Sequence, residues 1–460
     1  MKLTRREVLA GAAAGALGAV GAYELVDRLA GAGPARAAAG PLPREQHVLD
    51  GVRSVREDGI EVLVPPLHHQ VVTARVRVDR ADLRDARRAL EGVLAGLEAH
   101  FPPTPAGLGV TVAWGLPYFE RLVASQWRAH APHDRRAGKP ALLPPRRFPS
   151  DPATTILERN DVIVLLRSDR LAHIAEGAKA LFDGPGLFEV TSIRKGFAGG
   201  GFAGGRSLPK RMATTAGIPG AGLIPETAEL FLGFTSTMAQ NLGPRKIANF
   251  ETLGYVDLRG GYFREGTHMH VSHIEERLDS WYQLFDYQER VDTLFRPGLR
   301  VKEGTQTVRQ APADVATVDD VVHDYRRRHA IGHSAAIQTA SRLQRDHVAA
   351  DGTVYARGTA VPQRADFNTL DNPFFWSAHA ARDRMSDQPT AGVHFVVFNP
   401  TSDDFERTRL AMDGVLPGGK RLALSPNARG QGINSVLSTT HRQNFLVPPR
   451  RHRSFPLAEL

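Results

Sequence analysis

The spacing of apolar and polar positions between residues 68 and 195 predicts a regular series of strands and helices. Residues 70–78 alternate between apolar and charged side chains, which is typical of a half-buried strand. Residues 82–100 repeat apolar side chains at helical spacing. The remaining elements are predicted as strands at 109–114, 161–166 and 189–194, with helices that begin at 118 and span 171–181. The order β-α-β-α-β-α-β is the ferredoxin-like pattern.

The second part of the chain, residues 231–460, repeats this outline less regularly. Strand-like residues 266–274 lead into a predicted helix over 274–290. After an irregular middle come an apolar strand, a helix and a last strand, at 392–399, 402–412 and 445–449. We therefore predict an α+β fold of the dimeric α/β-barrel type, with two ferredoxin-like halves, antiparallel sheets packed together and helices outside.

A Gly/Pro-rich segment, residues 196–230, separates the two halves. Its first ten residues repeat Gly-Phe-Ala-Gly-Gly and contain a formal Gly-x-Gly-x-x-Gly at Gly199, Gly201 and Gly204. Pro209 stands where a dinucleotide-binding helix should run, and no suitable acidic residue follows at the required distance. We interpret the segment as an irregular loop and exclude a dinucleotide site.

The first 37 residues have the pattern of a twin-arginine export signal. Arg5 and Arg6 precede an uncharged run over residues 8–23. Ala35 and Ala37 are small residues at the two positions that a signal peptidase reads. The alternative is a retained membrane anchor, for which the run is shorter than the ~20 residues that a span needs. We predict export to the periplasm, cell envelope or exterior, with residues 38–67 as an N-terminal extension of the mature chain.

Composition restricts the chemistry further. The 460 residues contain no cysteine, which excludes disulfides, thiolate metal sites and a catalytic thiol. The net charge of +9 is scattered, and no basic run is interleaved with stacking aromatics, so nucleic acid is not an expected partner. No segment after the signal is apolar enough to span a bilayer. Hydrolase and zincin motifs are absent from the sequence.

Several segments, in their order and spacing, resemble the dye-decolourising peroxidases, a family built from two ferredoxin-like halves around a haem. They are the strand and turn at 110–119, the strand at 160–166, Leu232-Gly233-Phe234, the strand and Trp…Gln-Glu-Arg helix at 266–290, and the strand at 392–399. The resemblance spans most of residues 68–449. It implies haem b as cofactor, hydrogen peroxide and an organic reductant as substrates, and it leaves homo-oligomerisation open. Many bacterial members are exported by the twin-arginine route.

The resemblance also suggests site residues, several of which depart from the family pattern. Ser236 stands where the family has the distal Asp of Gly-Phe-x-Asp-Gly. Arg357 is the arginine nearest to the distal Arg, although simple register places Ala356 there. His333 is the nearest candidate for the haem ligand, whereas a strict overlay places Ala336 at that position. We expect His333 to hold the iron, with Arg357 and Ser236 on the distal side and Arg357 in contact with peroxide or a haem propionate.

Two functions therefore remain open from the sequence. The chain is either an exported haem peroxidase-like enzyme with an atypical active site, or a non-catalytic relative, haem-free or haem-carrying, that acts as a cell-envelope binding protein. A separate candidate is the pair His268 and His270, which point to one side of a predicted strand and could bind Zn or Cu if a third ligand converged on them.

Overall fold

The computed structural model describes most of the chain. The described residues are 26, 42–57, 60–200, 205–234, 261–306, 308, 318–333, 346–348, 354–355 and 363–460. The predicted export signal, apart from Val26, and the predicted site residues Ser236 and Arg357 lie outside these ranges. Within them, no helix is both long and apolar enough to cross a membrane.

The elements of the first half follow in the predicted order. A hairpin of β1 and β2 precedes them, and short strands lie in the connections. In chain order they are β1 Ser54–Glu57, β2 Ile60–Leu63, β3 His68–Val76, α1 Leu83–His100, β4 Gly109–Trp114, α2 Leu116–Leu122, α3 Ala124–His130, β5 His133–Asp134, β6 Lys139–Pro140, β7 Ile156–Leu157, β8 Val162–Ser168, α4 Leu171–Phe182, β9 Phe188–Phe197 and α5 Leu208–Thr215.

The second half contains the same kinds of elements with longer connections. They are β10 Thr267–Glu276, α6 Leu278–Leu284, α7 Tyr287–Leu294, α8 Val318–Arg328, β11 His347–Val348, β12 Val354–Tyr355, β13 Gln363–Arg364, β14 Phe367–Leu370, α9 Asp371–Phe374, β15 Phe375–Ser377, β16 Ala391–Asn399, α10 Ser402–Met412 and β17 Leu437–Val447. Single 3₁₀ turns occur at Arg80–Asp82, Ala221–Leu223, Pro417–Gly419, Ile433–Ser435 and Arg450–His452.

Each half forms a four-stranded antiparallel sheet with ferredoxin-like strand order. In the first half the order is β9-β3-β8-β4, so the first and third strands lie in the centre. In the second half the order is β14-β16-β10-β17, which is the same arrangement. The predicted fold class, α+β with two ferredoxin-like halves, is confirmed.

The two sheets join at their edges and close into a ring. One pair, Asn368 with Phe197, links β14 to β9, and another, Leu446 with Trp114, links β17 to β4. The interior of this barrel is filled by alternate side chains from both sheets. They are Val71, Ala113, Ile163, Leu165, Met269, Val271, Ala365, Phe367, Val396, Phe398, Phe445 and Val447. Because strand side chains alternate, the opposite face of each sheet is covered by its own helices.

Three local features differ from the sequence predictions. Segment 196–230 contains the helix α5, and Pro209 lies in its first turn, where the missing N–H has no helical partner to lose. The predicted helix over 274–290 is a strand extended to Glu276 followed by α6 and α7. A capping box between Asp286 and Glu289 starts α7 and separates it from α6. The middle of the second half, expected to be irregular, contains the strands β13 and β14, which both pair with β16.

Candidate functional site

A cavity lies between the outer face of the second-half sheet and helix α10, and His333 lines it; we call it the His333 cavity. Its floor consists of alternate residues of β10, of β16 and of β14 with the segment just before it, and the neighbours of these residues fill the barrel interior. These floor residues are Ser272, Ile274, Glu276, Asp366, Asn368, Val393, Phe395, Val397 and Asn399. The alternation of side chains thus gives this sheet an apolar inner face and an outer face that mixes apolar and polar groups.

Helix α10 forms the roof of the His333 cavity. Phe405, Thr408, Arg409 and Met412 are spaced as one helical face and all line the cavity. The side chain of Thr401 caps the helix by accepting a hydrogen bond from the backbone N–H of Asp404 at 3.4 Å. The empty space amounts to about 1410 Å³, including the part open to solvent. Its lining combines apolar walls with a few charged and polar groups, as in a site for an organic ligand rather than a single ion.

His333 reaches the cavity because its backbone is held against the end of α7. Its N–H donates to the carbonyl of Thr293 at 2.9 Å. The preceding Gly332 allows the close approach, since a Cβ there would lie 2.0 Å from the carbonyl oxygen of Phe295. The imidazole Nδ1 is buried and has no hydrogen-bond partner among the described residues. Burial, and then the charges of Arg364 and Arg409, lower the pKa of His333 to about 4, so the ring is neutral at pH 7.

Arg364 and Asp366 form a polar pair on the floor of the cavity. Arg364 Nη1 lies 3.5 Å from Asp366 Oδ2, and Asp366 Oδ1 accepts a hydrogen bond from the N–H of Val396 at 3.0 Å. Burial raises the pKa of Asp366 to about 6, although Arg364 and the Val396 N–H act in the opposite direction. The pair therefore places a guanidinium beside a carboxyl that gains or loses its proton close to neutral pH.

Two further arginines at the cavity are held by buried carboxylates. Arg442 Nη2 donates to Asp151 Oδ1 at 2.7 Å, and Arg409 Nη2 lies 3.2 Å from the same oxygen. Arg409 Nη1 also lies 2.9 Å from Asp413 Oδ1. Burial lowers the pKa of Arg442 to about 10, which leaves it charged. Its Nε and Nη1 are buried and have no hydrogen-bond partner within the described ranges.

Glu276 places a second carboxyl at the cavity. It lies at the end of β10 with 8% of its surface exposed, and its Oε2 has no hydrogen-bond partner in the described part of the chain. Burial raises the pKa of Glu276 to about 8, so this carboxyl is mostly protonated at pH 7.

The site residues predicted from the sequence have different outcomes. His333 lies at the cavity with its imidazole beside the cluster of arginines. Ser236 and Arg357 are outside the described residues, so their roles stay predictions. Arg364 and Asp366 were missed. The alternation of Arg364, Asp366 and Asn368 with apolar Ala365 and Phe367 was the signal that could have indicated a strand with a polar face.

The two histidines of the pair on β10, His268 and His270, are both buried. The two ring nitrogens of His270 are hydrogen-bonded to the side chains of Asn444 and Ser272, and its ring stacks on that of Phe405 with 3.4 Å between the ring centroids. Burial lowers the pKa of His268 to about 3. Over the described ranges, no group of three or more His, Cys, Asp or Glu side chains is placed to hold a metal ion. The third ligand that the pair would need is therefore absent from the described residues.

The side chains at the His333 cavity fit a haem in three respects. His333 lines the cavity with a neutral imidazole, a donor of the kind that haem iron takes. The rings of Phe234, Phe395 and Phe405 provide apolar walls for a flat macrocycle. The free N–H groups of Arg442 suit the propionate carboxylates.

Comparison with solved structures gives several similar folds. A DyP-type peroxidase from Cellulomonas bogoriensis is 18% identical with a TM-score of 0.49, covering 89% of this chain and 96% of that one. The encapsulated DyP-type peroxidase from Mycobacterium smegmatis is 14% identical with a TM-score of 0.48, covering 85% and 95%. A DypB variant from Rhodococcus jostii in complex with heme is 15% identical with a TM-score of 0.47, covering 85% and 96%. At this level of similarity, neither the activity nor the cofactor of a neighbour transfers to the chain.

Comparison with curated proteins gives no match. A family model matches residues 66–449, which include both ferredoxin-like sheets and the His333 cavity. The chain therefore belongs to the family of unknown function DUF7405.

Proposed function

We propose that the chain is an exported haem protein of the peroxidase type, with an atypical set of polar residues on the side of the haem where peroxide would bind. The observation that carries the proposal is the position of His333, a neutral imidazole that lines a cavity together with phenylalanines and arginines. The sequence resemblance to dye-decolourising peroxidases supports the same function independently of the cavity.

His333 would hold the iron of this haem. Its pKa of about 4 keeps the imidazole neutral, so that a lone pair is available for a metal at any pH above that value. Arg442 would bind a propionate through the two N–H groups that no described residue uses. When bound, the haem supplies the redox chemistry for reducing peroxide at the expense of an organic donor.

Asp366 would carry the proton that a peroxidase must move between the two oxygens of peroxide. The sequence has a serine, Ser236, where the resembling family has its acid, and a hydroxyl has no pKa suited to that role. Asp366, with a pKa of about 6, can take and return a proton near neutral pH. The Val396 N–H fixes Oδ1, which leaves Oδ2, the oxygen beside Arg364, as the atom that exchanges the proton. Arg357, the distal arginine suggested by the resemblance, would assist this proton transfer.

Export would follow from the signal predicted at residues 1–37, and the mature chain would then lie in the periplasm, the cell envelope or the exterior. The twin-arginine route carries folded proteins, so the haem would be inserted before export. Sequencing the N-terminus of the secreted protein tests this part, and a start at residue 38 is expected.

Hemin titration followed by absorption spectroscopy tests the haem site. We expect one equivalent of hemin to bind to the wild type with a sharp Soret band, and His333→Ala to bind it at least about tenfold more weakly because the axial bond is lost. His323→Ala is the matched control, since His323 is exposed on α8, does not line the cavity, and should bind like the wild type. A wild-type chain that takes up no hemin refutes the proposal.

The second candidate is the non-catalytic relative, a haem-carrying protein of the cell envelope. Ser236 at the position of the family's acid favours it. Peroxide-dependent oxidation of a dye separates the two functions. We expect turnover that Asp366→Asn reduces at least about a hundredfold, the usual contribution of general acid–base catalysis. Hemin binding without turnover in the wild type would instead establish the carrier.

A further inference from the structure

A second cavity lies at one end of the barrel and is lined by residues of β3, β7 and β9. We call it the Arg159 cavity. Thr73 and Arg75 of β3 point to the same side of the strand as the interior residue Val71, so this cavity opens on the inner face of the first-half sheet. Its empty space is about 690 Å³, including the part open to solvent. None of its lining residues also lines the His333 cavity.

The rim of the Arg159 cavity carries an excess of positive charge. Glu158 pairs with the buried Arg194, and Asp383 accepts from Arg382 Nε at 3.0 Å, so both carboxylates at the cavity are already engaged. Arg75 and Arg159 also line the cavity and are exposed. Neither has an ion-pair partner within the part of the chain that the structure describes. The rim therefore presents two guanidinium groups that can bind an anion.

The floor of the Arg159 cavity consists of three buried hydroxyls whose hydrogen bonds have one consistent direction. Thr191 donates its single proton to Asn160 Oδ1 at 2.7 Å. The 2.7 Å contact between Thr73 and Thr191 then requires Thr73 to donate, and the 2.7 Å contact between Ser192 and Thr73 requires Ser192 to donate. All three protons are used inside this chain of bonds.

The amide of Asn160 offers no free donor either. Its Nδ2 donates to Glu158 Oε2 at 3.3 Å and to Gln443 Oε1 at 3.1 Å. The floor hydroxyls have no proton left to donate and can therefore only accept hydrogen bonds, whereas the guanidinium groups of Arg75 and Arg159 can only donate them. A ligand that satisfies both must carry a negative group at one end and hydroxyl groups at the other.

We propose that the Arg159 cavity is a binding site for a small polyhydroxylated anion, such as a sugar acid or a sugar phosphate. Its carboxylate or phosphate lies between Arg75 and Arg159, and its hydroxyls donate to Thr73 and Ser192. The site does not depend on haem, so its test is independent of the function proposed above.

Isothermal titration calorimetry on the mature full-length chain at low salt tests this site. Gluconate and glucose 6-phosphate are the probes, and they distinguish a carboxylate from a phosphate. Hexanoate carries the charge without hydroxyls, and glucose carries hydroxyls without the charge. We expect saturable one-to-one binding of at least one probe, and binding of hexanoate and glucose that is at least about tenfold weaker.

Substitutions at the rim locate the binding. Arg75→Gln and Arg159→Gln should each weaken binding about tenfold, because each removes a charge-assisted contact. Arg128→Gln is the matched control, since it removes an exposed guanidinium outside the cavity and should change nothing. Absence of binding by both probes, equal binding by the rim variants, or binding of hexanoate as tight as that of gluconate would each overturn the proposal.

Discussion

Asp151 organises the arginines of the His333 cavity, and Asp151→Asn is the perturbation that tests this. The carboxylate has no exposed surface and binds Arg442 and Arg409 through Oδ1. Its Oδ2 accepts the N–H of Phe148 at 2.7 Å. Asparagine keeps the shape of the side chain and removes its charge.

The expected loss of stability depends on which carboxylate partners each arginine keeps in the variant. Arg409 retains Asp413 at 2.9 Å, whereas Arg442, with 1% of its side chain exposed, loses the carboxylate that it binds at 2.7 Å. Removing one partner of a buried ion pair costs about 3–5 kcal/mol. Because one of the two arginines stays paired, we expect the lower end, about 3 kcal/mol. For a chain of this length, that corresponds to a fall of about 3 °C in Tm.

Differential scanning calorimetry measures the effect, with Asp85→Asn as the control. Asp85 pairs with Arg88 on the surface, where its side chain is 72% exposed, and its loss should change stability by less than about 0.5 kcal/mol. In the double variant Asp151→Asn with Arg442→Met, most of the stability should return, because the uncompensated charge is gone. An Asp151→Asn variant as stable as the Asp85→Asn control would refute the reasoning.

Two further predictions concern the cavity floor and the joint between the sheets. Glu276 has a pKa of about 8 in the folded chain against an ordinary value of 4.5, so the folded state keeps its proton longer and loses stability as the pH rises between these values. Relative to the wild type, the free energy of unfolding of Glu276→Gln should therefore rise by about 2–4 kcal/mol between pH 4.5 and pH 8. Urea unfolding of both proteins at the two pH values measures this. A difference between the proteins that is the same at both pH values would contradict it. Gly196→Ala should destabilise the chain by about 3 kcal/mol or more, because its Cβ would lie 2.2 Å from the carbonyl oxygen of Asn368 where β9 meets β14. The control is Gly92, a helical glycine with nothing within 4 Å of an added Cβ. Gly92→Ala should stabilise the chain by up to about 1 kcal/mol, and thermal melts of both variants measure the two effects. A similar response of both variants would show that packing at the joint is not the cause.

The sequence predicted the first half well because its signals are local. The strands β3, β4 and β8 are long and strongly apolar on at least one face, and α1 repeats apolar residues at helical spacing. The split between α6 and α7 was also readable, since Asp286 and Glu289 have the spacing of a capping box.

The strands on either side of Asp366 were harder to find. β13 and β14 are two and four residues long, and charged and polar side chains interrupt them, so their apolar positions are too few to stand out. The convergence of His333, Asp366 and Arg442 depends on sheet register and on the docking of Gly332 against Phe295. Such long-range contacts leave no periodic pattern in the sequence.

The central claim is that His333 is the protein ligand of a haem. The most direct test is resonance Raman spectroscopy of the hemin-loaded, reduced chain, which reports the bond between iron and its axial imidazole. The wild type should show that bond, His333→Gly should lose it, and added imidazole should restore it by occupying the space left by the side chain. A spectrum that is the same in the wild type and in His333→Gly without imidazole would contradict the account.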